Sequence, residues 1–239
     1  MGIPGPAVRL GILVPSSNSN AETLTAAILA GQPDLGVHYS RFRLPPNLDD
    51  TVDLSVLGDA PALLNDAELQ AIAFHGTSGS WTGITQDRSL CDELKAVCGA
   101  PATTASVAVV EALGALSATR IGLVFPGPGS IASQIQREYA NYGIDVQVVS
   151  VPEAAMSNPE IAQLDTAAIG AMMRPAFAHG LDAVVCVGTN LRSGYLVEGF
   201  EQEFAIPVVD SAIATLWHVL RLADSSRSIP GWGALLAVH

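Results

Sequence analysis

The chain contains one stretch twice. Residues Leu69–Ser80 read LQAIAFHGTSGS, and residues Leu181–Ser193 read LDAVVCVGTNLRS. At a shift of 112 both run as an apolar strand, then Gly-Thr, then a small polar residue: Gly76-Thr77-Ser78 beside Gly188-Thr189-Asn190. A second pair, RLGILVP (Arg9–Pro15) and RIGLVFP (Arg120–Pro126), matches at a shift of 111. Two matches at nearly one spacing define an internal duplication of about 110 residues. A chain built this way folds as two similar halves, and strand-ending Gly-Thr turns from the two halves face each other across a cleft.

Each half alternates short apolar runs with helical patterns. Val8–Val14 is apolar throughout and stops at Pro15, the mark of a strand covered on both faces. A helix over 21–30 follows, with Ser19 or Asn20 as its cap. Strands are expected over 37–44, 71–74 and 100–103, and helices over 51–64, 87–97 and 106–116. The second half repeats the scheme, with strands over 121–125, 145–151, 183–187 and 207–209. Its helices are expected over 130–141, 166–179, 192–204 and 211–223. Strict strand–helix alternation predicts an α/β protein of two pseudo-symmetric Rossmann-like halves with parallel sheets and the active site in the cleft between them. The first half is expected to take residues 1–116 with the tail 224–239, and the second residues 117–223.

Composition narrows the partners. The net charge is −12, only 14% of residues are charged, and no basic patch exists, which argues against nucleic acid. No apolar run approaches the roughly 18 residues of a membrane span. The opening MGIPGPAVRL lacks the charged and apolar regions of a signal peptide. Three cysteines without framework spacing fit a reducing cytoplasm. No cysteine–histidine set has metal spacing. Helix surfaces rich in alanine and valine favour a homo-oligomer, most simply a dimer.

In parallel sheets ligands bind beyond the carboxyl ends of the strands. This selects Ser16, Ser17 and Asn18, then His75 to Ser78, Gly127, Gly188 to Asn190, and Asp210. Hydroxyls, an amide and backbone N–H groups at Ser16, Ser17, Asn18, Thr77 and Ser78 suit a carboxylate or an enediolate, with Thr189 and Asn190 as mirrored donors. The same residues also serve as turn and cap formers. His75 breaks the repeat, since its counterpart is Val187, and it can act as acid or base. Asp210 suits either a general base or the cap of the helix beginning at Ser211. Cys186 is a candidate catalytic residue as a displaced nucleophile, since it faces the same way as Gly188, but it lies about 6–7 Å deeper in the strand; a small buried apolar residue is the plainer account. Cys91 and Cys98 fall on one helix face as core. Arg41 and Arg43 share a strand face, and Arg192 and Trp81 follow the two turns.

These motifs resemble the maleate isomerase and arylmalonate decarboxylase branch of the aspartate/glutamate racemase superfamily. VPSSNSNAET is similar to that branch's first-strand motif, in which Ser and Asn bind a substrate carboxylate. HYSRFR, FHGTSGS, the Asn158-Pro159-Glu160 loop and GTNLRS followed by IPVV fall in the expected order. The resemblance implies a substrate-binding role for Asn158 and an active site between the halves. It also implies catalytic cysteines where this chain has Gly76 and Gly188, and a tyrosine near Gly127. With those side chains absent, the expectation is a pocket larger than a maleate site. The resulting reading is an enzyme that needs no cofactor and no thiol. It acts on a small organic acid or a derivative through an enolate-like state, by lyase-type chemistry, with His75 or Asp210 moving the proton. A cis–trans isomerase or hydrolase and a non-catalytic small-acid binder stand as alternatives.

Overall fold

The computed structural model describes residues 5–237. Met1–Pro4, where the absence of a leader was read, and the last two residues of the tail lie outside the described residues. Among the described residues, eight strands form two parallel four-stranded sheets. The first holds β1 (Val8–Pro15), β2 (Leu35–Phe42), β3 (Ala71–Phe74) and β4 (Ala102–Thr104) in the order β2-β1-β3-β4. The second holds β5 (Arg120–Val124), β6 (Asp145–Ser150), β7 (Ala183–Cys186) and β8 (Val208–Asp210) in the order β6-β5-β7-β8. The two orders are the same, so the duplication read in the sequence is a duplication of topology. All residues of β3 and β7 are buried, as strands covered on both faces require.

Register carries the repeat to the strand ends. Leu13 of β1 is paired with Phe74 of β3, and Val124 of β5 with Cys186 of β7. The Gly-Thr turns therefore leave their sheets at matching heights. In each sheet the chain order reverses between the two middle strands, β1 and β3 or β5 and β7. A crevice for a ligand opens at such a switch point.

One hydrophobic cluster spans both halves, running from Leu10 and Leu24 through Ile121 and Val185 to Leu236, and a second, around Leu13, Phe74 and Leu94, belongs to the first half. Helices Ala105–Ala115 and Ser211–Leu222, each following the last strand of its half, pack against each other. Helix Gly129–Ala140 packs against the short helix Gly79–Thr82 of the other half.

Several elements differ from the pattern reading. The helix expected over 51–64 is two, Leu54–Leu57 and Ala60–Asn65, because Gly58 takes a positive φ of 54° between them. The one expected over 166–179 stops at Met173, where Arg174–Ala176 tightens into a 3-10 turn around Pro175. The segment left as loop before it contains a helix, Asn158–Gln163, opened by a Ser157–Glu160 capping box. Neither Ser19 nor Asn20 caps helix Ala21–Ile28 through its side chain. Asn18 does so from further upstream, its Oδ1 accepting the N–H groups of Asn20 and Ala21.

Candidate active site

One cleft lies over both switch points. It is lined from β1 by Pro15 and Asn18, from β3 by the turn His75–Ser78, from β5 by Pro126, and from β7 by Gly188–Leu191. Asn158 and Ile161 close it from the second half. The loop after β2 covers it with Leu44, Pro45, Asn47, Leu48, Asp50 and Val52.

Much of the polar chemistry read from the sequence is spent joining the halves. Asn18 Nδ2 donates to Thr189 Oγ1 at 3.0 Å, and that hydroxyl donates to the carbonyl of His75 at 3.0 Å. Asn20 Nδ2 donates to the Thr189 carbonyl at 3.0 Å. Asn190 accepts the N–H of Ser19 and donates to the carbonyls of Ser17 and Asn158. Asn158 Nδ2 in turn donates to Ser17 Oγ at 3.1 Å. Ser16 and Ser17 are exposed and are not among the cleft-lining residues. Asn18, Thr189 and Asn190 thus line the cleft but have most of their hydrogen-bonding capacity committed, Asn18 and Thr189 to each other and all three to main chain.

Thr77 and Ser78 differ. Both line the cleft, both are only half-buried, and neither hydroxyl has a hydrogen-bond partner among the described residues. Their turn is held from behind. Ser80 N–H donates to Ser106 Oγ at 3.0 Å, Ser80 Oγ meets Tyr139 Oη at 3.3 Å, and Glu138 accepts the N–H of Ile84 at 2.8 Å. Tyr139 and Glu138 come from the second half, so each half's turn is fixed by the other.

The three titratable candidates separate. His75 lines the cleft and is buried, and neither ring nitrogen has a partner among the described residues. Desolvation lowers its pKa to about 4, so the ring is neutral at neutral pH. Asp210 is fully buried and does not line the cleft. Its Oδ1 caps helix Ser211–Leu222 by accepting from Ala212 and Ile213 at 2.9 Å each, and its Oδ2 accepts from Ser193 Oγ. The cap reading accounts for the Oδ1 contacts, the Ser193 hydroxyl holds Oδ2, and burial raises this carboxyl's pKa to about 6. Cys186 is likewise fully buried outside the cleft lining, with its thiol pushed well above the usual range by desolvation.

At Gly76 and Gly127 the missing side chains leave no extra room. A Cβ on Gly76 would lie 2.4 Å from the ring of Phe74, and one on Gly127 would lie 2.5 Å from the ring of Phe125. In both halves an aromatic ring two residues upstream fills the space a side chain would take. Gly127 itself is not a lining residue. Gly188 has φ +132°, a conformation L side chains rarely adopt, and a Cβ there would meet Pro126 at 3.3 Å.

Sequence reasoning missed the covering loop. Its signal was present in Leu44-Pro45-Pro46-Asn47-Leu48, apolar residues in a segment that Pro46 keeps irregular. Trp81 fastens it, donating from Nε1 to the Leu48 carbonyl at 2.7 Å while its ring packs 5.7 Å from Phe125. The two arginines placed near the cleft are turned to other work. Arg41 binds the carbonyls of Ser16 and Asn18 and pairs with Glu22, and Arg192 donates to the Leu164 carbonyl. Among the described residues no cluster of three His, Cys, Asp or Glu is placed to hold a metal.

A family model for arylmalonate decarboxylase matches residues 46–236. The chain belongs to the arylmalonate decarboxylase family. It is 30% identical to a maleate isomerase of Nocardia farcinica, over 95% of each chain. An arylmalonate decarboxylase of Bordetella bronchiseptica is 24% identical, again over 95% of each. Among solved structures, the maleate isomerase of Pseudomonas putida S16 with maleate superposes with a TM-score of 0.87 at 24% identity, covering 97% of this chain and 98% of that one. The Nocardia farcinica maleate cis-trans isomerase with a covalently bound succinylcysteine intermediate gives 0.84 at 26%, covering 96% and 98%. The chain therefore sits in the maleate isomerase and arylmalonate decarboxylase branch of the aspartate/glutamate racemase superfamily, with its two pseudo-symmetric halves. It is an enzyme of the lyase or isomerase kind.

Proposed function

We propose that this enzyme carries out a lyase-type reaction on a small organic acid or its derivative through an enolate-like state, without a cofactor and without a catalytic thiol. The observation that carries this reading is the pair of uncommitted hydroxyls, Thr77 and Ser78, in a largely apolar cleft directly after an uncommitted, neutral His75. The bond to the leaving group breaks, and its electron pair passes into the adjoining carbonyl as an enolate. Preorganised donors in a site of low dielectric hold such charge far better than water does. The enolate carbon then gains a proton, which His75 delivers from its ring N–H and recovers from solvent. Leaving a buried polar group unpaired costs roughly 1–3 kcal/mol, and a histidine kept in that state beside a substrate cleft fits a proton-transfer role.

The relatives' names support the class. One is a decarboxylase, and others are isomerases, one of which was captured with a covalent succinylcysteine. The thiol route of that last protein does not suit this chain. Its three cysteines are Cys186, sealed in a strand, and Cys91 and Cys98, on helix Ile84–Cys98. None lines the cleft. A dimer formed through the alanine- and valine-rich helix surfaces belongs to the same reading.

The test is turnover of arylmalonates and maleate by wild type, Thr77→Val and His75→Gln. Losing one donor to the developing oxyanion is expected to lower kcat by roughly 10²–10³-fold. His75→Gln is expected to lower it by about 10²–10⁴-fold with the fold intact. Tight binding with no turnover in wild type would favour the small-acid binder, and activity that survives both substitutions would overturn the assignment of these residues.

A further inference from the structure

Helix Ile84–Cys98 buries one face, made of Ile84, Asp87, Leu90, Leu94 and Cys98. These positions have the spacing of an apolar stripe, and Asp87 is the one acid on it. It is buried and does not line the cleft. A carboxyl in such a place needs hydrogen bonds to offset its burial. Thr104 Oγ1 donates to its Oδ2, and the Ser106 hydroxyl is bonded to it as well.

The same carboxyl fills the space over Gly79, where a Cβ would lie 2.2 Å from Asp87 Cγ. Gly79 opens the one-turn helix Gly79–Thr82, directly after Thr77 and Ser78. The Ser78 carbonyl accepts the N–H groups of Trp81 and Thr82 at 2.9 Å each and the Thr82 hydroxyl at 3.0 Å. The Thr77 carbonyl accepts the N–H of Ser80 at 3.1 Å, and Ser106 Oγ accepts that same N–H at 3.0 Å. Both donor residues are thus built into the helix that rests on Asp87. The second half repeats the arrangement with the partners exchanged. There the acid, Asp210, caps the helix after the last strand, the hydroxyl, Ser193, follows the Gly-Thr turn, and Ser211 Oγ accepts the N–H of Gly188. A buried acid–hydroxyl clamp ties each Gly-Thr turn to the helix after its half's last strand.

We infer that Asp87 is a positioning residue of the active site: from behind the cleft wall its carboxyl fixes helix Gly79–Thr82 and, through it, the hydroxyls of Thr77 and Ser78. That these hydroxyls meet substrate rests on the function proposed above; the hold of Asp87 on the turn does not. Thr189 and Asn190 are anchored by their own side chains to the first half. Thr77 and Ser78 have no such anchors, so their placement depends on the helix beneath them. A displacement of about 1 Å at a reacting group costs up to roughly 10²-fold in rate. The clamp uses shape and hydrogen bonding, and a hydroxyl can donate to or accept from an amide. Asp87→Asn therefore keeps the clamp, and Asp87→Ala removes it.

The experiment measures turnover of phenylmalonate and, without substrate, hydrogen exchange of the amides of residues 80–83. It compares wild type, Asp87→Asn, Asp87→Ala, Gly79→Ala and the double variant Gly79→Ala/Asp87→Ala. Asp87→Ala is expected to lower kcat roughly 10–100-fold with KM changed less than about threefold, the pattern of a loss felt in the transition state alone. Exchange at residues 80–83 is expected to quicken at least roughly tenfold beyond any change in helix Ser211–Leu222, which reports the whole fold. Asp87→Asn is expected to stay within about threefold of wild type in both measurements. Gly79→Ala pushes a methyl into the carboxyl and is expected to lower kcat too, while adding Asp87→Ala to it lowers kcat no further than Asp87→Ala alone, since residues in contact couple. If Asp87→Ala does not fold, Gly79→Ala decides, and its turning over at the wild-type kcat overturns the inference. So does Asp87→Ala at the wild-type kcat, exchange in the turn no faster than in the rest of the fold, or Asp87→Asn as impaired as Asp87→Ala. If wild type turns over no phenylmalonate while the amides respond as expected, the proposed function falls and the hold of Asp87 on the turn stands.

Discussion

The glycines of this site have surroundings that leave little room for a side chain. At Gly76 the ring of Phe74 occupies the space of a Cβ, and at Gly188 the backbone takes φ +132°. Inserting a side chain at either position is therefore not a simple restoration. Gly76→Ala must displace a fully buried ring and is expected to cost about 1–3 kcal/mol. Gly188→Ala must hold a strained backbone, also at about 1–3 kcal/mol. Urea unfolding checks both. The diagnostic companion is Phe74→Leu combined with Gly76→Ala: relieving the ring contact should recover part of the loss at Gly76, whereas no change of side chain nearby recovers Gly188. For the same reason Gly188→Cys is expected to give a less stable protein and no thiol catalysis.

At the scale of elements, the turns are held across the interface between halves. Asn18 on the β1 loop, Thr189 on the β7 turn and the His75 carbonyl form one chain of hydrogen bonds. Asn18→Ala and Thr189→Val should each destabilise, and the double variant should lose less than the sum, with a coupling energy of about 0.5–3 kcal/mol. Additive losses would mean that the bond contributes nothing. Much of the architecture was legible before the structure, because strand ends are marked by Pro15, Gly76, Pro126 and Gly188 at repeat spacing. The cleft's location followed from the same marks. What was not legible is which donors are already taken. Asn18, Thr189 and Asn190 read as free ligands for a carboxylate, since Asn18 and Thr189 bond to each other across 171 residues and their remaining side-chain bonds go to main chain. Nor does one-dimensional spacing reveal that a ring two residues upstream refills a missing side chain. The covering loop was missed because irregular segments carry no periodicity to read.

Across the whole molecule, three buried titratable groups give stability a pH dependence of mixed sign. Burial raises Asp87 and Asp210 from 3.8 to about 6, and each carboxyl accepts a hydroxyl, Thr104 in one half and Ser193 in the other. Between pH 4 and 6 the folded chain holds these protons while the unfolded chain has released them. Their contribution is thus fully present at about pH 4 and is lost as pH rises through 6. His75 works the other way. Its pKa falls from 6.5 to about 4, so the unfolded chain takes up a proton first, and stability is lost as pH falls from about 6.5 toward 4. Asp210→Asn isolates one carboxyl while preserving an acceptor for the helix cap. The stability of wild type relative to Asp210→Asn should fall as pH rises from 4 to about 6.5, by an amount on the order of 3 kcal/mol. The relative stability of wild type and His75→Phe should change in the opposite sense over the same range. Denaturant titrations at several pH values measure both differences, and parallel curves for wild type and Asp210→Asn would mean that this carboxyl stays ionised in its buried position. The two carboxyls lie behind the two Gly-Thr turns, bonded to residues that begin the next helix or follow the turn.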